Sequence, residues 1–220
     1  HYQAHLLGTR LSQSSDQLTL MARSYAVTGR DKYFNFYNDI LNIRSGKIAR
    51  PHNYHRIYWD LLMPEKGDVA FSEGEKQSID QLMKQLNLPN EELQLLVKAK
   101  DASNQLSLVE FEAFSMIKQG KDQEQEYVNS KQRLLAISLL YDQSYLAEKA
   151  KIKRFVNDFF DLQESRNLVE LEASNKLHYT YIILATSAFL FLLLSLFYNF
   201  YKQFQNKAVF LKTLRKEVSS

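Results

Sequence analysis

The segment Tyr181–Tyr198, YIILATSAFLFLLLSLFY, constrains this chain more than any other feature. No Asp, Glu, Lys or Arg occurs from residue 177 to residue 201, and about 20 apolar residues suffice for a helix to cross a hydrocarbon core. Tyrosines suited to the membrane interface flank both ends. The sequence therefore predicts a transmembrane helix over residues 179–201. A buried helix of a soluble protein is the alternative, but such a helix is normally shorter and has a polar face.

The charges on either side of this segment predict its orientation. Arg166 and Lys176 precede it among glutamates, whereas five basic residues follow it closely: Lys202, Lys207, Lys212, Arg215 and Lys216. Cytoplasmic flanks carry the excess of Lys and Arg, so residues 202–220 are expected in the cytoplasm and residues 1–178 on the other side. The net charge of +3 is concentrated in the tail, so it does not predict a nucleic-acid partner.

The composition favours long helices, with Gly 6 and Pro 3 in 220 residues and neither type after residue 120. Cysteine is absent, which excludes disulfides and thiolate metal sites. We expect an all-α fold: an elongated antiparallel four-helix bundle over residues 1–178, whose last helix continues into the transmembrane helix and a coiled coil. Because His1 lies inside a helical pattern, we also expect a first membrane helix to precede it.

Apolar or small residues at alternating spacings of four and three predict a long first helix: Leu7, Leu11, Ser14, Leu18, Met21, Tyr25 and Thr28. Gly29 is expected to end it, because glycine adopts the left-handed conformation without a clash. Asp31 is expected to cap a second helix that closes at Ser45 and Gly46.

Two further helices are predicted before the membrane. A short one is expected over Glu75–Leu86, and a long one begins after Pro89 and ends at Gly120, with an apolar stripe at Leu95, Ala99, Ala102, Leu106, Val109, Ala113 and Met116. Residues 120–131 are expected to form a polar connection to the last helix. That helix is expected to bend around Tyr141–Tyr145 and then to run unbroken through the membrane.

Residues 46–74 form an irregular insertion that concentrates cations and aromatic rings: Arg50, His52, Tyr54, His55, Arg56, Tyr58 and Trp59. Long irregular segments in helical domains are often functional. One interpretation is a site for a small anionic ligand or a partner protein, assisted by Arg23, Tyr25 and Arg44. The other is structural, with the rings plugging the end of the bundle. His52 and His55 without nearby carboxylates do not predict a metal site.

The tail repeats apolar residues every seven positions, at Phe197, Phe204, Leu211 and Val218, with Leu214 between the last two. This spacing is typical of a parallel two-stranded coiled coil, so we expect a homodimer in which these residues relay a signal. The alternative is a basic amphipathic helix lying on the inner leaflet of the lipid bilayer.

The sequence contains no recognisable catalytic constellation. A nucleophile with its base, a pair of carboxylates at usable spacing and a glycine-rich phosphate loop are all missing. The five histidines also lack the sequence setting of a kinase phosphoacceptor. We therefore expect no enzymatic activity and no cofactor in this segment.

Two stretches carry a resemblance to a known class of receptor. Leu11–Leu62, LSQSSDQLTLMARSYAVTGRDKYFNFYNDILNIRSGKIARPHNYHRIYWDLL, and Leu139–Arg166, LLYDQSYLAEKAKIKRFVNDFFDLQESR, resemble the helical extracytoplasmic sensor region of bacterial membrane receptors. Those receptors are hybrid histidine kinases and related diguanylate cyclases. Residues 25–37 are also similar to the four-helix-bundle sensors of chemoreceptors. The segment after the membrane lacks proline and does not resemble a HAMP relay, which favours a direct coiled-coil connection.

The resemblance implies a periplasmic sensor, with its second membrane helix, in a receptor of the bacterial inner membrane. The expected output is a histidine kinase. The alternatives are a diguanylate cyclase, a chemoreceptor, or a membrane-tethered adaptor for a periplasmic binding protein. Because bundles of this kind serve many outputs, the resemblance does not identify the ligand.

Overall fold

The computed structural model describes residues 2–52, 54, 58–64, 72–121 and 126–218; for residues 121, 126–129, 210 and 212–218 it describes only the backbone. These residues form helices and no β-strand, with one isolated bridge between Pro51 and Glu73. The helices are α1 (Tyr2–Thr28), α2 (Asp31–Arg44), α3 (Tyr58–Leu62), α4 (Ile79–Gln85), α5 (Asn90–Lys121), α6 (Glu126–Leu139) and α7 (Gln143–Val218). The all-α prediction is confirmed.

Two compact units divide the chain, His1–Ser165 and Arg166–Ser220. The first contains α1 to α6 and the beginning of α7, and the second contains the rest of α7. Among the described residues, one helix is long and apolar enough to cross a membrane: an 18-residue window has a mean hydropathy of 2.2, and none of it is buried. Its length and composition agree with the transmembrane segment expected from the sequence.

α1 contacts α2, α4, α5 and α6, and its side chains also reach α7. Ser12 and Thr19 meet Lys153 and Tyr145, respectively, so α1 and α7 run antiparallel. The apolar stripe predicted for α1 is buried within this one chain at Leu7, Leu11, Leu18, Met21 and Tyr25.

A tight turn at Gly29 connects α1 to α2. Gly29 has a φ of 65°, and its N–H donates to the Tyr25 carbonyl at 2.7 Å, as expected for a glycine that ends a helix. The prediction that Asp31 caps α2 was wrong, because the N-cap is Arg30 and makes no side-chain capping hydrogen bond. Asp31 is the first helical residue, where a negative charge is favourable to the helix dipole.

α4 begins later than predicted because a capping box fixes its start. The Gln81 N–H donates to Ser78 Oγ at 3.1 Å, and the Ser78 N–H donates to Gln81 Oε1 at 2.8 Å. α5 begins at Asn90 with Glu91 and Glu92 in its first turn, close to the predicted start after Pro89.

The last predicted helix begins at Glu126, inside the stretch 120–131 that was expected to be a connection, and it is broken where a bend was expected. α6 ends at Leu139, α7 begins at Gln143, and Asp142 Oδ1 accepts from the Tyr145 N–H at 2.7 Å, as an N-cap does. The break frees the Leu140 carbonyl from helical bonding. Arg23 donates to this carbonyl from Nε at 3.1 Å and from Nη2 at 2.9 Å, and its guanidinium lies over the Tyr141 ring.

One buried carboxylate, that of Glu110, links four helices of the first unit. It accepts from the Tyr37 hydroxyl (α2) and from the Tyr145 hydroxyl (α7), both at 2.6 Å. Thr19 of α1 completes the group: its hydroxyl donates to Glu110 Oε1 at 3.5 Å and lies 3.0 Å from the Tyr145 hydroxyl oxygen. Glu110 is only 1% exposed. These hydrogen bonds fix the relative positions of α1, α2, α5 and α7.

Burial raises the pKa of Glu110, even though the Tyr145 and Tyr37 hydroxyls and the charges of Lys149 and Arg44 oppose that rise. The folded protein therefore holds a proton on this carboxyl at pH values where the unfolded chain has lost it. By linkage, the contribution of Glu110 to stability falls as pH rises from near 4.5, its ordinary value, through the folded pKa.

We expect Glu110→Gln to remove this pH dependence, since glutamine does not ionise. The difference in melting temperature between the variant and the native chain should shift in favour of the variant as pH rises from about 4.5 to 8. Trp59 is the chain's one tryptophan and is buried, so its fluorescence reports unfolding of the full chain in lipid nanodiscs. The control is Glu112→Gln, at an exposed position of α5. Parallel pH profiles for Glu110→Gln and the native chain would contradict the prediction.

Candidate functional site

The predicted insertion is closed by two extended segments that pair with each other. The Arg50 N–H donates to the Glu75 carbonyl at 3.2 Å, the Gly74 N–H to the Arg50 carbonyl at 3.0 Å, and the His52 N–H to the Ser72 carbonyl at 3.0 Å. A Cβ on Gly74 would overlap the Arg50 carbonyl oxygen. Glycine at this position therefore permits the close pairing that holds residues 50–52 in place.

A cavity of about 300 Å³ lies beside this pairing. It falls at the lower end of the size range of small-molecule sites, about 300–1,000 Å³. Three elements build it: the first half of α1, the paired segments, and α4. Its lining residues are Arg10, Arg50, Pro51, His52, Tyr54, Gly74, Glu75, Gln77 and Leu82.

Arg10 and Arg50 give this cavity its chemical character. Arg10 Nε and Arg50 Nη2 are buried and donate no hydrogen bond, and within the described part of the chain neither guanidinium forms an ion pair. Burial, and then the charge of Arg10, lower the pKa of Arg50 to about 10. Burial also lowers the pKa of Arg10. Two neighbouring cations with unused donors suit an anionic ligand, above all a carboxylate or phosphate group.

Tyr54 forms the wall of the cavity next to Arg50, and Trp59 contacts Tyr54 from behind. The Tyr54 ring lies 5.3 Å from the Arg50 guanidinium, and the Trp59 Nε1–H donates to the Tyr54 hydroxyl at 2.9 Å. Burial raises the pKa of Tyr54 to about 12. Trp59 packs on Phe36 of α2, with ring centroids 5.2 Å apart. Tyr54 therefore connects this cavity to the hydrophobic core of the first unit.

The structure brings together three of the residues predicted for the site, Arg50, His52 and Tyr54. Tyr58 and Trp59 belong to the aromatic cluster behind Tyr54, with their ring centroids 5.0 Å apart. His55 and Arg56 lie outside the described residues.

The three helical residues predicted to assist the site do not line the cavity. Arg23 bonds to the carbonyl at the break between α6 and α7. Tyr25 packs on Phe114 in the core, with ring centroids 5.3 Å apart, and Arg44 lines a different cavity.

Sequence reasoning missed Arg10, which supplies the second cation. It lies next to Leu11 of the apolar stripe, so its side chain starts at the edge of the buried face of α1. A basic residue at such an edge is usually solvated, because long side chains extend their charge into water. The only sequence signal for Arg10 as a site residue was its position beside the apolar stripe of α1.

The residues predicted to relay a signal lie on α7, in the second unit. Phe197, Phe204 and Leu211 are exposed in the single chain, whereas for Leu214 and Val218 only the helical backbone is described. A helix that exposes phenylalanine and leucine at seven-residue spacing carries the apolar stripe that a coiled-coil partner needs.

No protein-family model, curated protein or solved structure matches this chain.

Replacing Gly74 with alanine should disturb the cavity through the backbone. Because the added Cβ would overlap the Arg50 carbonyl, the paired segments must separate, and we expect a loss of about 1–3 kcal/mol in the free energy of unfolding. Urea denaturation of the full chain in lipid nanodiscs, followed by Trp59 fluorescence, measures it. Lys76→Ala, at an exposed position two residues away, is the control and should stay within about 0.5 kcal/mol. Equal stability of both variants would contradict the close pairing.

Proposed function

We propose that this chain is the signal-sensing domain and second membrane helix of a bacterial transmembrane receptor, and that a small anion bound between Arg10 and Arg50 is its signal. The single observation that carries the proposal is the pair of buried, unpartnered guanidinium donors in one cavity. Both side chains are half-buried, and each shields one guanidinium nitrogen from water without giving it a hydrogen-bond partner, so the site favours a ligand that accepts from these donors.

The architecture we propose for the first unit is a four-helix bundle. Its second member is α2 followed by α4, interrupted by the insertion, and its fourth member is α6 followed by the first part of α7. Contacts between side chains support this arrangement. Tyr37 meets Glu110 and Arg44 meets Ser103, so α2 runs antiparallel to α5, just as α1 runs antiparallel to α7.

The signal has a short path from the cavity to α7. Arg10 lies on α1 less than two turns before Asp16, and Asp16 forms ion pairs with Lys149 and Lys153 of α7. Lys153 Nζ also donates to the Ser12 hydroxyl at 2.6 Å. A ligand that draws Arg10 towards residues 50–52 would move α1, and these contacts would carry the displacement to α7. Small shifts of packed helices are a common means of switching.

The membrane assignment within this proposal follows from α7 and the charges around its apolar segment. Residues 1–178 lie in the periplasm, residues 179–201 cross the inner membrane, and residues 202–220 enter the cytoplasm as a coiled-coil linker. The unbroken helix from Gln143 to Val218 supports direct transmission to a cytoplasmic output, for which we propose a histidine kinase. Two copies of the chain associate through the stripe that includes Phe204 and Leu211.

Removal of either arginine should weaken anion binding without unfolding the protein. We expect succinate or inorganic phosphate, titrated against the full chain in nanodiscs of neutral lipid, to change Trp59 fluorescence and raise the melting temperature. Arg50→Gln and Arg10→Gln should each weaken this binding about tenfold or more, since a hydrogen bond to a charged group contributes about 1.5–3 kcal/mol.

Arg154→Gln removes one positive charge from an exposed position of α7 and is the matched control. It should bind both probes as the native chain does. If Arg50→Gln and Arg10→Gln bind as tightly as Arg154→Gln, or lose binding only in proportion to lost stability, the cavity is not the input site.

Dimerisation through the tail is testable because the chain has no cysteine of its own. Single cysteines introduced at successive positions from 204 to 218 of the full chain in membranes should crosslink with a period near 3.5 residues, with a maximum at Leu211. A membrane-surface helix would give weak crosslinking with no such period. That outcome would favour the leaflet-bound tail over the coiled coil.

A further inference from the structure

A second cavity lies on the side of α2 that faces α4 and α5. Its volume is about 440 Å³, which lies within the range of small-molecule sites. Leu41 and Ile79 supply its apolar surface, and the rest of the lining is polar, with three basic residues and one acidic residue: Arg44, Lys47, Lys100, Asp80, Asn38, Asn42, Ser45 and Asn104. It shares no lining residue with the cavity at Arg10 and Arg50.

Arg44 is the most unusual group in this cavity. It is only 7% exposed, and its Nη1 donates to the Ser103 hydroxyl at 3.0 Å. Its Nη2 is buried and has no hydrogen-bond partner, and Arg44 forms no ion pair within the described residues. Burial lowers the pKa of Arg44, while Tyr37, Glu110, Tyr54 and Asp80 act in the opposite direction from outside ion-pair distance.

The other charges do not neutralise Arg44. Asp80 is the acidic residue of the lining, and it already forms an ion pair with Lys100. Lys47 adds a further cation, which forms no ion pair among the described residues. The lining therefore carries a net positive charge of about two. One nitrogen of the Arg44 guanidinium, Nη2, is shielded from water and donates no hydrogen bond. Leaving a buried charged donor unsatisfied is costly, and a bound oxyanion removes that cost.

The neighbouring amides indicate what else a ligand must carry. Asn42 and Asn104 each offer donor and acceptor atoms at the cavity surface. Arg44 and Lys47 suit a carboxylate, while the amides suit a hydroxyl or a second carboxylate. The apolar surface from Leu41 and Ile79 suits the carbon chain between such groups better than it suits a bare inorganic ion.

We propose that the cavity around Arg44 is a second, separate binding site, and that it takes a small organic anion with at least one carboxylate group. This site shares no lining residue with the input site at Arg10 and Arg50. It gives the domain the capacity to bind two anions at once.

Binding of acetate, succinate, citrate and inorganic phosphate to the full chain in nanodiscs of neutral lipid, measured by calorimetry and thermal unfolding, tests this proposal. We expect at least one of the carboxylates to bind at this site. Arg44→Gln should weaken that binding about tenfold or more, whereas Arg10→Gln and Arg50→Gln should leave it unchanged. Asn104→Phe, which fills the cavity from an exposed position, should have the same effect as Arg44→Gln. Lys98→Gln, at an exposed position of α5, should bind normally.

The stability of the ligand-free protein separates this proposal from a purely structural role for Arg44. If Arg44 only stabilises the fold, Arg44→Gln should lower the melting temperature and should leave the binding of carboxylates unchanged. If it serves a ligand, removing its unpaired charge should leave the melting temperature equal or higher. A lower melting temperature with unchanged carboxylate binding, or Arg44-dependent binding of phosphate alone, would overturn the proposal. If the site at Arg44 binds no carboxylate, the binding test for the cavity at Arg10 and Arg50 still stands.

Discussion

The first unit depends on the hydrogen bonds around the buried Glu110 carboxylate. A carboxyl at this depth is tolerated only if donors surround it, and Tyr37 and Tyr145 provide two at 2.6 Å each. The two tyrosines come from different helices, so removing the carboxylate would leave donors from α2 and α7 unsatisfied in the core. Apolar packing alone allows helices to slide by a turn, whereas these bonds define one register. The position of the cavities follows from that register, since α2 carries Arg44 and leads into Arg50.

The break between α6 and α7 is a second local arrangement with a wide effect. Leu140, Tyr141 and Asp142 leave the helix, and an unpaired carbonyl would result if Arg23 did not donate to it twice. The side chain of Asp142 then caps the N-terminus of α7, three residues before Tyr145. The helix that bears the apolar segment thus begins at residues fixed by α1 and α5, so any movement of those helices acts on its first turn.

The sequence predicted the helices well and the cavities poorly, for a physical reason. Helix faces repeat: the stripe from Leu7 to Tyr25 and the glycine at position 29 are local signals, and both proved correct. The residues next to an arginine in the sequence do not determine whether its side chain turns inward. Arg10 and Arg50 are far apart in the chain and meet only because Gly74 allows two extended segments to pair beside α1. Glu110 was unremarkable in sequence because its donors lie 73 and 35 residues away.

The charges of the first unit fall into two groups, ion pairs at the surface and arginines that are partly shielded from water. On the surface, opposite charges pair where they meet, as Asp16 does with Lys149 and Lys153, and such pairs contribute little to stability. In the described part of the first unit, four arginines each shield one guanidinium nitrogen that has no hydrogen-bond partner: Arg10, Arg44, Arg50 and Arg133. Arg44 is buried as a whole, and the other three are half-buried. A chain selected for stability alone would replace such groups with apolar residues of similar volume at little cost. Three of these four, Arg10, Arg44 and Arg50, line cavities large enough for a small molecule, which agrees with the anion sites proposed above.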